Sequence, residues 1–235
     1  MNITRFNPTS NGTLHLGHIF TLIFNEQFAH QSGGKFYVRF DDTSQAIELE
    51  MEKPERVEAI IKNHRNDIEW LGIKVDGWQK QNDLIEEVHG IMRKCKTFVW
   101  INDPYPHDMP IFIKMGNIWE AYPYCPLSIA ERVIMDNMLG ITHVIRGDEF
   151  LAEYSLYRYY CDVFELPAPK FIYLPRLEGK SGSISKTNGG YTLAELRANG
   201  YNAEYIIHLL KTSCLLWYNN GWTLYNLKAN PRVNL

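Results

Sequence analysis

Two histidines, His15 and His18, stand three residues apart near the start of the chain, with Gly17 between them. Imidazole N–H groups can donate hydrogen bonds to phosphate oxygens and stabilise the charge that develops on a phosphorus under attack. A glycine at this point leaves room for a flat base to lie against the backbone. A short H-x-G-H match also arises by chance, and two histidines on a helix are most often merely solvated. The pair therefore predicts phosphate chemistry only if the surrounding elements place it where ligands bind.

A glycine- and serine-rich loop with two lysines lies much further along the chain, at residues 179–187 (GKSGSISKT). Lys186 can neutralise a triphosphate while the leaving pyrophosphate gains charge, and a loop of this composition can close over such a group. Taken alone, the segment fits an ordinary surface loop even better. His15, His18 and Lys186 are the three candidate catalytic residues.

The elements around the histidine pair place it at the end of a strand. Residues 2–6 form the first predicted strand, and a helix with apolar residues at helical intervals follows over residues 16–30 until the glycines at 33–34. A second strand over residues 35–40 stops at an acidic pair, residues 41–42. Ligands of open α/β sheets bind beyond the carboxyl ends of strands, where a helix N-terminus offers free backbone N–H groups to phosphates.

The rest of the chain continues to alternate between helices and strands. Pro54 opens a helix, and Thr192 with Glu195 forms a capping box before another. Residues 98–101 and 111–114 flank a turn-rich stretch and predict a hairpin-like insertion. The other predicted elements are helices over residues 83–94, 127–138, 149–163 and 203–216 and strands over residues 142–146 and 171–174. This order indicates an α/β fold with a doubly wound parallel sheet and helices on both faces.

The composition of the 235-residue chain suits a globular core, with 45% hydrophobic and 22% charged residues. It contains no apolar run of about 18 residues, so no membrane span is predicted. No cleavable signal pattern follows Met1, and a cytoplasmic location is the default expectation. The four cysteines are widely scattered and predict neither a zinc knuckle nor a disulfide framework.

The net charge of −3 argues against a strongly basic nucleic-acid-binding surface over the whole chain. The charge is unevenly distributed, however, since residues 170–235 carry eight Lys or Arg against three Asp or Glu. A basic C-terminal lobe that faces phosphates and an accident of composition explain this imbalance equally well.

Longer segments around these motifs resemble one family closely. Residues 5–17 (RFNPTSNGTLHLG) are similar to the opening R-F-A-P-S-P-T-G-x-L-H-x-G of class I aminoacyl-tRNA synthetases of the glutamyl type. Residues 35–43 (KFYVRFDDT) resemble that family's strand ending in I-E-D-T, and residues 140–149 (GITHVIRGDE) resemble its segment G-I-T-H-V-I-R-G-E-D. The histidine pair and the lysine loop resemble its HIGH and KMSKS signatures. The resemblance covers about residues 4–216.

The resemblance implies a Rossmann-type (HUP-like) nucleotide-binding domain in two halves, residues 1–96 and 126–190. A short connective insertion over residues 97–125 would separate the halves, and a helical extension over residues 191–235 would follow. No segment resembles the family's anticodon-binding domain. In size the chain is most similar to glutamyl-queuosine tRNA synthetases, which attach glutamate to a modified tRNA base.

The activity that the resemblance implies is ligation driven by ATP. An amino acid, glutamate or a similar acidic one, would form an aminoacyl adenylate and then pass to tRNA or to a modified tRNA base. The attacking carboxylate is already ionised at neutral pH, so no general base is needed. Mg²⁺ would be held mainly by the phosphates, so no protein metal ligand is predicted.

The resemblance also implies roles for individual residues. Arg5 and Arg146 would hold the carboxylates of the amino acid, for which guanidinium forks are well suited. Thr9 and Asp41 would receive its α-amino group. The candidate ATP contacts are Pro8, Thr9, His15, Gly17, His18, Ile184, Ser185 and Lys186. The candidate amino-acid contacts are Arg5, Asn7, Thr9, Asp41, Ser128, Arg132 and Arg146.

The chain departs from the family pattern at several of these positions. The pocket tyrosine of the family falls at Ser128, an asparagine four residues on becomes Arg132, and the first lysine of the lysine loop becomes Ser183. Tyr122 or Tyr124 substitutes for the missing tyrosine if the local alignment is shifted. The insertion lacks the cysteines that bind zinc in many glutamyl-queuosine enzymes, so no zinc is predicted. Asp136 matches a family aspartate four residues before the G-I-T-H segment.

Three alternatives remain open from the sequence. The acyl adenylate could pass to an acceptor other than tRNA, such as a carrier protein, a metabolite or a modified base. A cofactor-type adenylyltransferase also uses H-x-G-H and a later Ile-Ser-x-Thr, which residues 184–187 fit, but residues 5–17 and 140–149 do not fit that class. An inactive relative that only binds a ligand or partner would not be expected to keep both histidines and Lys186.

Overall fold

A computed structural model of the chain describes residues 1–10, 12–43, 54–95, 111–115, 118–122, 127–175, 177–179, 182–183 and 192–218. Only the backbone is described for residues 54, 111–115, 118–122, 127, 178–179, 182–183 and 212–218. The strands are β1 (Ile3–Phe6), β2 (Lys35–Phe40), β3 (Gly77–Lys80), β4 (Ile111–Met115), β5 (Ile118–Tyr122), β6 (His143–Gly147), β7 (Lys170–Leu174), β8 (Glu178–Gly179) and β9 (Gly182–Ser183). The α-helices are α1 (Leu16–Gln31), α2 (Pro54–Trp70), α3 (Ile85–Lys94), α4 (Leu127–Met138), α5 (Tyr154–Val163), α6 (Leu193–Ala198) and α7 (Ala203–Tyr218).

Parallel strands form the centre of the fold. Strands β1, β2 and β3 pair in that order, with Phe6 opposite Val38 and Phe40 opposite Lys80. Strand β7 pairs in parallel with β6. Ile3 and Thr142 join the starts of β1 and β6, because Thr142 N–H donates to Ile3 O at 2.9 Å and Ile3 N–H donates to Thr142 Oγ1 at 2.8 Å. The strand order thus extends outward from β1 in one direction and from β6 in the other. The boundary between β1 and β6 is the switch point of a doubly wound sheet.

Apolar side chains on the strands and helices form two separate clusters. The larger one brings α1, α2, α6 and α7 against the sheet, and the smaller one lies among α3, α4 and α5. Helix α1 is buried on several sides, with Leu16, Ile19, Leu22 and Ile23 fully inaccessible. That burial fixes the first turn of α1, which carries the histidine pair, at the carboxyl end of β1. No helix among the described residues is long and apolar enough to cross a membrane.

The predicted α/β class and parallel sheet are confirmed, and most predicted elements agree within two residues. Strand β3 was missed because its sequence, GWQK, has no alternation of apolar and polar residues. The two helices predicted over residues 83–94 and 149–163 are each a 3₁₀ turn, Asn82–Leu84 or Asp148–Glu153, followed by a shorter α-helix.

The predicted insertion contains a β-hairpin with a boundary that differs from the prediction. Strand β4 pairs antiparallel with β5, which the sequence pattern did not identify. The other predicted arm, residues 98–101, lies outside the described residues. The division of the chain at residues 96, 125 and 190 remains a prediction.

Candidate active site

A cavity of about 440 Å³ opens at the carboxyl ends of β1 and β6, the switch point of the sheet. It brings together nine of the residues that the sequence singled out, although they lie up to 141 positions apart. These are Arg5, Asn7, Pro8, Thr9, His15, Gly17, His18, Arg132 and Arg146. Glu149, Phe150, Leu174, Pro175 and Leu177 also line it. The sheet therefore places the histidine pair and two predicted carboxylate-binding arginines around one space.

The two histidines cap the first turn of α1. His15 is the N-cap residue, and its Nδ1 accepts a hydrogen bond from Gly17 N–H at 3.1 Å. His18 Nδ1 accepts from His15 N–H at 3.4 Å, and the two rings stack with centroids 3.7 Å apart. An Nδ1 that accepts a backbone N–H carries no proton, so each neutral ring carries its proton on Nε2. The histidines thus hold Nε2–H donors beside the cavity.

This capping corrects one expectation from the sequence. The first turn of α1 was expected to offer free backbone N–H groups, but the N–H groups of His15 and Gly17 are already bonded to imidazole nitrogens. The reason is that a side-chain acceptor at the N-cap reaches the backbone of the next two or three residues. The side chains, rather than these two amides, are the candidate donors to a phosphate at this point.

Arg5 lies in a buried charge network. Its Nε and Nη2 donate to the two carboxylate oxygens of Asp136, at 3.0 and 3.2 Å. Arg39 Nη1 lies 2.8 Å from Asp136 Oδ1, and Tyr157 OH donates to Oδ2 at 2.8 Å. Burial alone would raise the pKa of Asp136, but the positive charges of Arg5 and Arg39 and the hydrogen bonds from Arg5 and Tyr157 lower it to about 2. Asp136 is therefore a carboxylate at neutral pH.

Arg39 connects this network to the cavity wall. Its side chain is fully buried, and its Nε donates to Asn7 Oδ1 at 2.9 Å. Asn7 lines the cavity, so the predicted contacts Arg5 and Asn7 are both held from behind by residues of the core. The sequence interpretation did not identify Arg39, although a charged residue inside the apolar strand KFYVRF was a signal that a buried partner must exist.

Arg146 and Arg132 meet at a second carboxylate, which the sequence interpretation also missed. Arg146 Nη1 donates to Glu153 Oε2 at 2.7 Å, and Arg132 Nη1 donates to the same oxygen at 3.3 Å. Arg146 Nη2 donates to Phe150 O at 3.1 Å, and Arg132 Nε donates to Ser128 O at 3.1 Å. Glu153 follows Arg146 by seven residues, but only the 3₁₀ turn between them brings the two side chains together.

Thr9 and Asp41, predicted together for an α-amino group, are neighbours. They form an isolated parallel bridge just beyond β1 and β2, and Asp41 N–H donates to Pro8 O at 2.9 Å. Gln81 Nε2 donates to Asp41 Oδ1 at 3.0 Å. Thr9 lines the cavity, whereas Asp41 and Ser128 are not among its lining residues. The roles given to Asp41 and Ser128 remain predictions.

The lysine-loop candidates Ile184, Ser185 and Lys186 lie outside the described residues, as does Tyr124; Ser183 and Tyr122 are described in backbone only. The residues that follow the loop are described, however. Thr192 forms an antiparallel bridge with His15, and Leu193 N–H donates to Leu14 O at 2.9 Å. The capping box predicted for Thr192 and Glu195 is confirmed. Thr192, five residues after the last residue of the loop segment, therefore lies beside the histidine pair.

The donor set of the cavity suits phosphate and carboxylate oxygens. It combines two imidazole Nε2–H groups, a helix N-terminus and guanidinium groups, and Gly17 adds no Cβ to the space beside His15. Within the part of the chain that the structure describes, no group of three or more His, Cys, Asp or Glu residues is arranged to hold a metal ion.

Comparisons with known proteins show what the chain is similar to. The family model described as "tRNA synthetases class I (E and Q), catalytic domain" matches residues 2–98 and 112–217. A glutamate–tRNA ligase from Methanococcus maripaludis is 26% identical over 286 residues, which cover 88% of this chain and 50% of the relative. Glutamate–tRNA ligase 1 from Dinoroseobacter shibae is 26% identical over 268 residues, which cover 86% of this chain and 54% of the relative.

The solved structure of a glutamate–tRNA synthetase from Elizabethkingia anophelis has the same fold, with a TM-score of 0.64 at 19% sequence identity. The match covers 89% of this chain and 61% of that one. The chain spans about half the length of the curated relatives that it matches.

Proposed function

The chain belongs to the family of class I tRNA synthetase catalytic domains for glutamate and glutamine, and from this premise we propose that it activates an amino acid with ATP. The observation that carries the proposal is the shared cavity at the switch point, which is lined by His15 and His18 together with Arg5 and Arg146. The joining of ATP to an amino acid requires hydrogen-bond donors to phosphate oxygens and to carboxylate oxygens within one space.

The reaction is an in-line substitution at the α-phosphorus of ATP. An α-carboxylate oxygen of the amino acid forms a bond to that phosphorus, and the bond to the β-phosphate bridging oxygen breaks. The products are an aminoacyl adenylate and pyrophosphate, and no proton has to move because the carboxylate attacks as an anion. Catalysis then depends on positioning and on stabilisation of charge, which the Nε2–H groups of His15 and His18 supply.

The adenine and phosphates would lie along residues 8–18, over Gly17 and the start of α1. The first turn of α1 adds the partial positive charge of a helix N-terminus. Mg²⁺ bound to the phosphates would neutralise part of their charge, and its ligands would be phosphate oxygens and water rather than protein carboxylates.

Lys186 would supply a cation to the leaving pyrophosphate. Thr192 is bridged to His15, and six residues of chain span at most about 20 Å. Lys186 can therefore reach phosphates bound at the histidine pair without displacing α6. A loop that is followed by a residue bridged to His15 is better suited to this role than a lysine on an unrelated surface.

We propose glutamate as the amino acid and tRNA as the acceptor, either at its end or at a modified base. The cationic arginines of the cavity favour an acidic side chain, and the relatives named above are glutamate–tRNA ligases. The division into nucleotide-binding halves 1–96 and 126–190, insertion 97–125 and helical extension 191–235 is part of this proposal.

The decisive measurement is ATP–pyrophosphate exchange with each of the twenty amino acids, with and without bulk tRNA. We expect exchange with glutamate, and we expect Lys186→Ala to reduce it strongly while Lys180→Ala, in the same loop, does not. Exchange with no amino acid under either condition would refute the proposal.

The acceptor is tested by transfer of labelled glutamate. Label that enters intact tRNA but not tRNA without its 3′-terminal adenosine indicates the tRNA end. Label that enters both indicates a modified base. Exchange with no label in tRNA would show that the acceptor is something else.

A further inference from the structure

The end of the cavity at Arg146 is built around one shared carboxylate. Arg132 from α4 and Arg146 from β6 both donate to Oε2 of Glu153, which belongs to the 3₁₀ turn Asp148–Glu153. These three residues, called the Glu153 cluster below, come from three different elements. The exposed fraction of the side chain is 20% for Arg132, 9% for Arg146 and 13% for Glu153. Solvent therefore screens their charges only in part.

The Glu153 cluster carries one excess positive charge. Two guanidinium groups share one carboxylate, and Arg5, the next cationic residue of the cavity, belongs to a separate network in which Arg5 and Arg39 share Asp136. Glu149 also lines the cavity, but it is exposed, so its charge is screened by solvent. Without Glu153 this end of the cavity would carry two positive charges, and without Arg132 it would carry none.

The geometry of Arg146 is fixed by its contacts. Its Nη1 is bonded to Glu153, its Nη2 is bonded to Phe150 O, and its Nε is buried without a hydrogen-bond partner among the described residues. Its guanidinium carbon lies 5.3, 5.5 and 5.8 Å from the ring centroids of Phe150, Phe171 and Tyr173. Such rings favour the cation and limit its motion. Arg146 is thus held in one orientation before any ligand binds, which lowers the entropic cost of binding.

We propose that Glu153 is a positioning and specificity-determining residue, paired with Arg132 so that the cavity presents one net positive charge around Arg146 to a substrate carboxylate. The proposal rests on the proposed activation of an acidic amino acid. The three side chains of the Glu153 cluster together determine the net charge at this end of the cavity, and no single one of them determines it alone. Arg132 and Glu153 therefore compensate each other, and removal of both leaves Arg146 with the same net charge as the intact cluster.

The test is the binding of L-glutamate, measured by isothermal titration calorimetry with and without tRNA, to three variants. R132Q leaves no excess charge, and we expect its affinity to fall by about tenfold or more. R132Q/E153Q restores one positive charge, and we expect an affinity within about threefold of the wild type. E153Q leaves two positive charges and is expected to bind glutamate no more weakly than the wild type. R158Q, an exposed arginine of α5 outside the cavity lining, is the matched control and should not change affinity.

The outcomes separate a charge effect from a merely structural one. A structural role predicts that the double variant is at least as weak as R132Q, and that result would overturn the proposal, as would wild-type affinity in R132Q. If R132Q/E153Q does not fold, R132E/E153R has the same charge sum and must likewise bind more tightly than R132Q. Glutamate binding without pyrophosphate exchange would refute the proposed function and leave the role of Glu153 standing. A wild-type chain that binds no glutamate would overturn both.

Discussion

Asp136 and Arg5 form a two-hydrogen-bond ion pair across 131 positions of the sequence, with nitrogen–oxygen distances of 3.0 and 3.2 Å. The pair joins α4 to β1, and thereby links the two predicted halves of the nucleotide-binding domain beneath the cavity. Arg39 and Tyr157 contact the same carboxylate, so one side chain interacts with three buried polar groups. The stability of the fold and the geometry of the cavity therefore depend on the same residue.

Asp136→Asn should destabilise the chain strongly. The substitution leaves the guanidinium groups of Arg5 and Arg39 buried without a counter-charge, a change that costs about 3–5 kcal/mol in comparable cases. Urea unfolding measures the difference. The matched control is Glu58→Gln, which removes the partner of Lys80 in an exposed pair and should cost less than about 1 kcal/mol. Equal effects of the two substitutions would show that the network contributes little.

The same carboxylate should make stability fall in acid. The pKa of Asp136 is lowered to about 2 in the folded chain, from an ordinary value of 3.8. A group with a lowered folded-state pKa contributes stability above its unfolded pKa and loses it as the pH falls through the folded one. The contribution of Asp136 should therefore be complete above about pH 4 and disappear toward about pH 2. Thermal unfolding across this range should show a steeper decline for the wild type than for Asp136→Asn, and parallel curves would contradict the assignment.

His18→Ala should separate catalysis from folding. His18 Nδ1 accepts a backbone N–H, so its loss should cost about 1–2 kcal/mol, as for other helix caps. Its Nε2–H is the proposed donor to phosphate, and loss of one such donor lowers turnover by about 100-fold or more. Pyrophosphate exchange and urea unfolding of one preparation measure both effects. Full exchange activity in the variant would remove the phosphate role.

Gly17→Ala should disturb the histidine pair by a steric effect, because the substitution adds a Cβ and changes no polar group. A Cβ at Gly17 would lie 3.1 Å from His15 Cε1 and 3.2 Å from Nδ1, so the His15 ring must shift and its stacking on His18 must change. A small displacement of a positioned group lowers turnover by about tenfold or more. Gly90→Ala in α3 is the control, because its Cβ would meet nothing within 4 Å and activity should not change. Retained exchange activity in Gly17→Ala would show that the position of the His15 ring is not critical.

Local chemistry allowed the sequence to predict much of the fold and part of the site. The helix periodicity, the glycines at turns and the capping box at Thr192 act over a few residues, so the elements that they predict agree with the structure. The strand-to-helix order then placed His15, His18, Arg5 and Arg146 at strand ends or helix starts, which meet at one edge of a parallel sheet.

What the sequence alone determined is therefore the identity of nine residues that line the cavity, the histidine pair, Arg5 and Arg146 among them. Only the tertiary structure decided which charges meet, because ion pairs between elements depend on strand order and helix packing, and neither is encoded within a few residues. Arg39 and Asp136 lie 97 positions apart, and their contact exists because α4 packs where β1 and β2 are adjacent. The sharing of Glu153 between Arg132 and Arg146 likewise requires α4, β6 and the 3₁₀ turn to converge. The net charge at this end of the cavity is a property of that convergence.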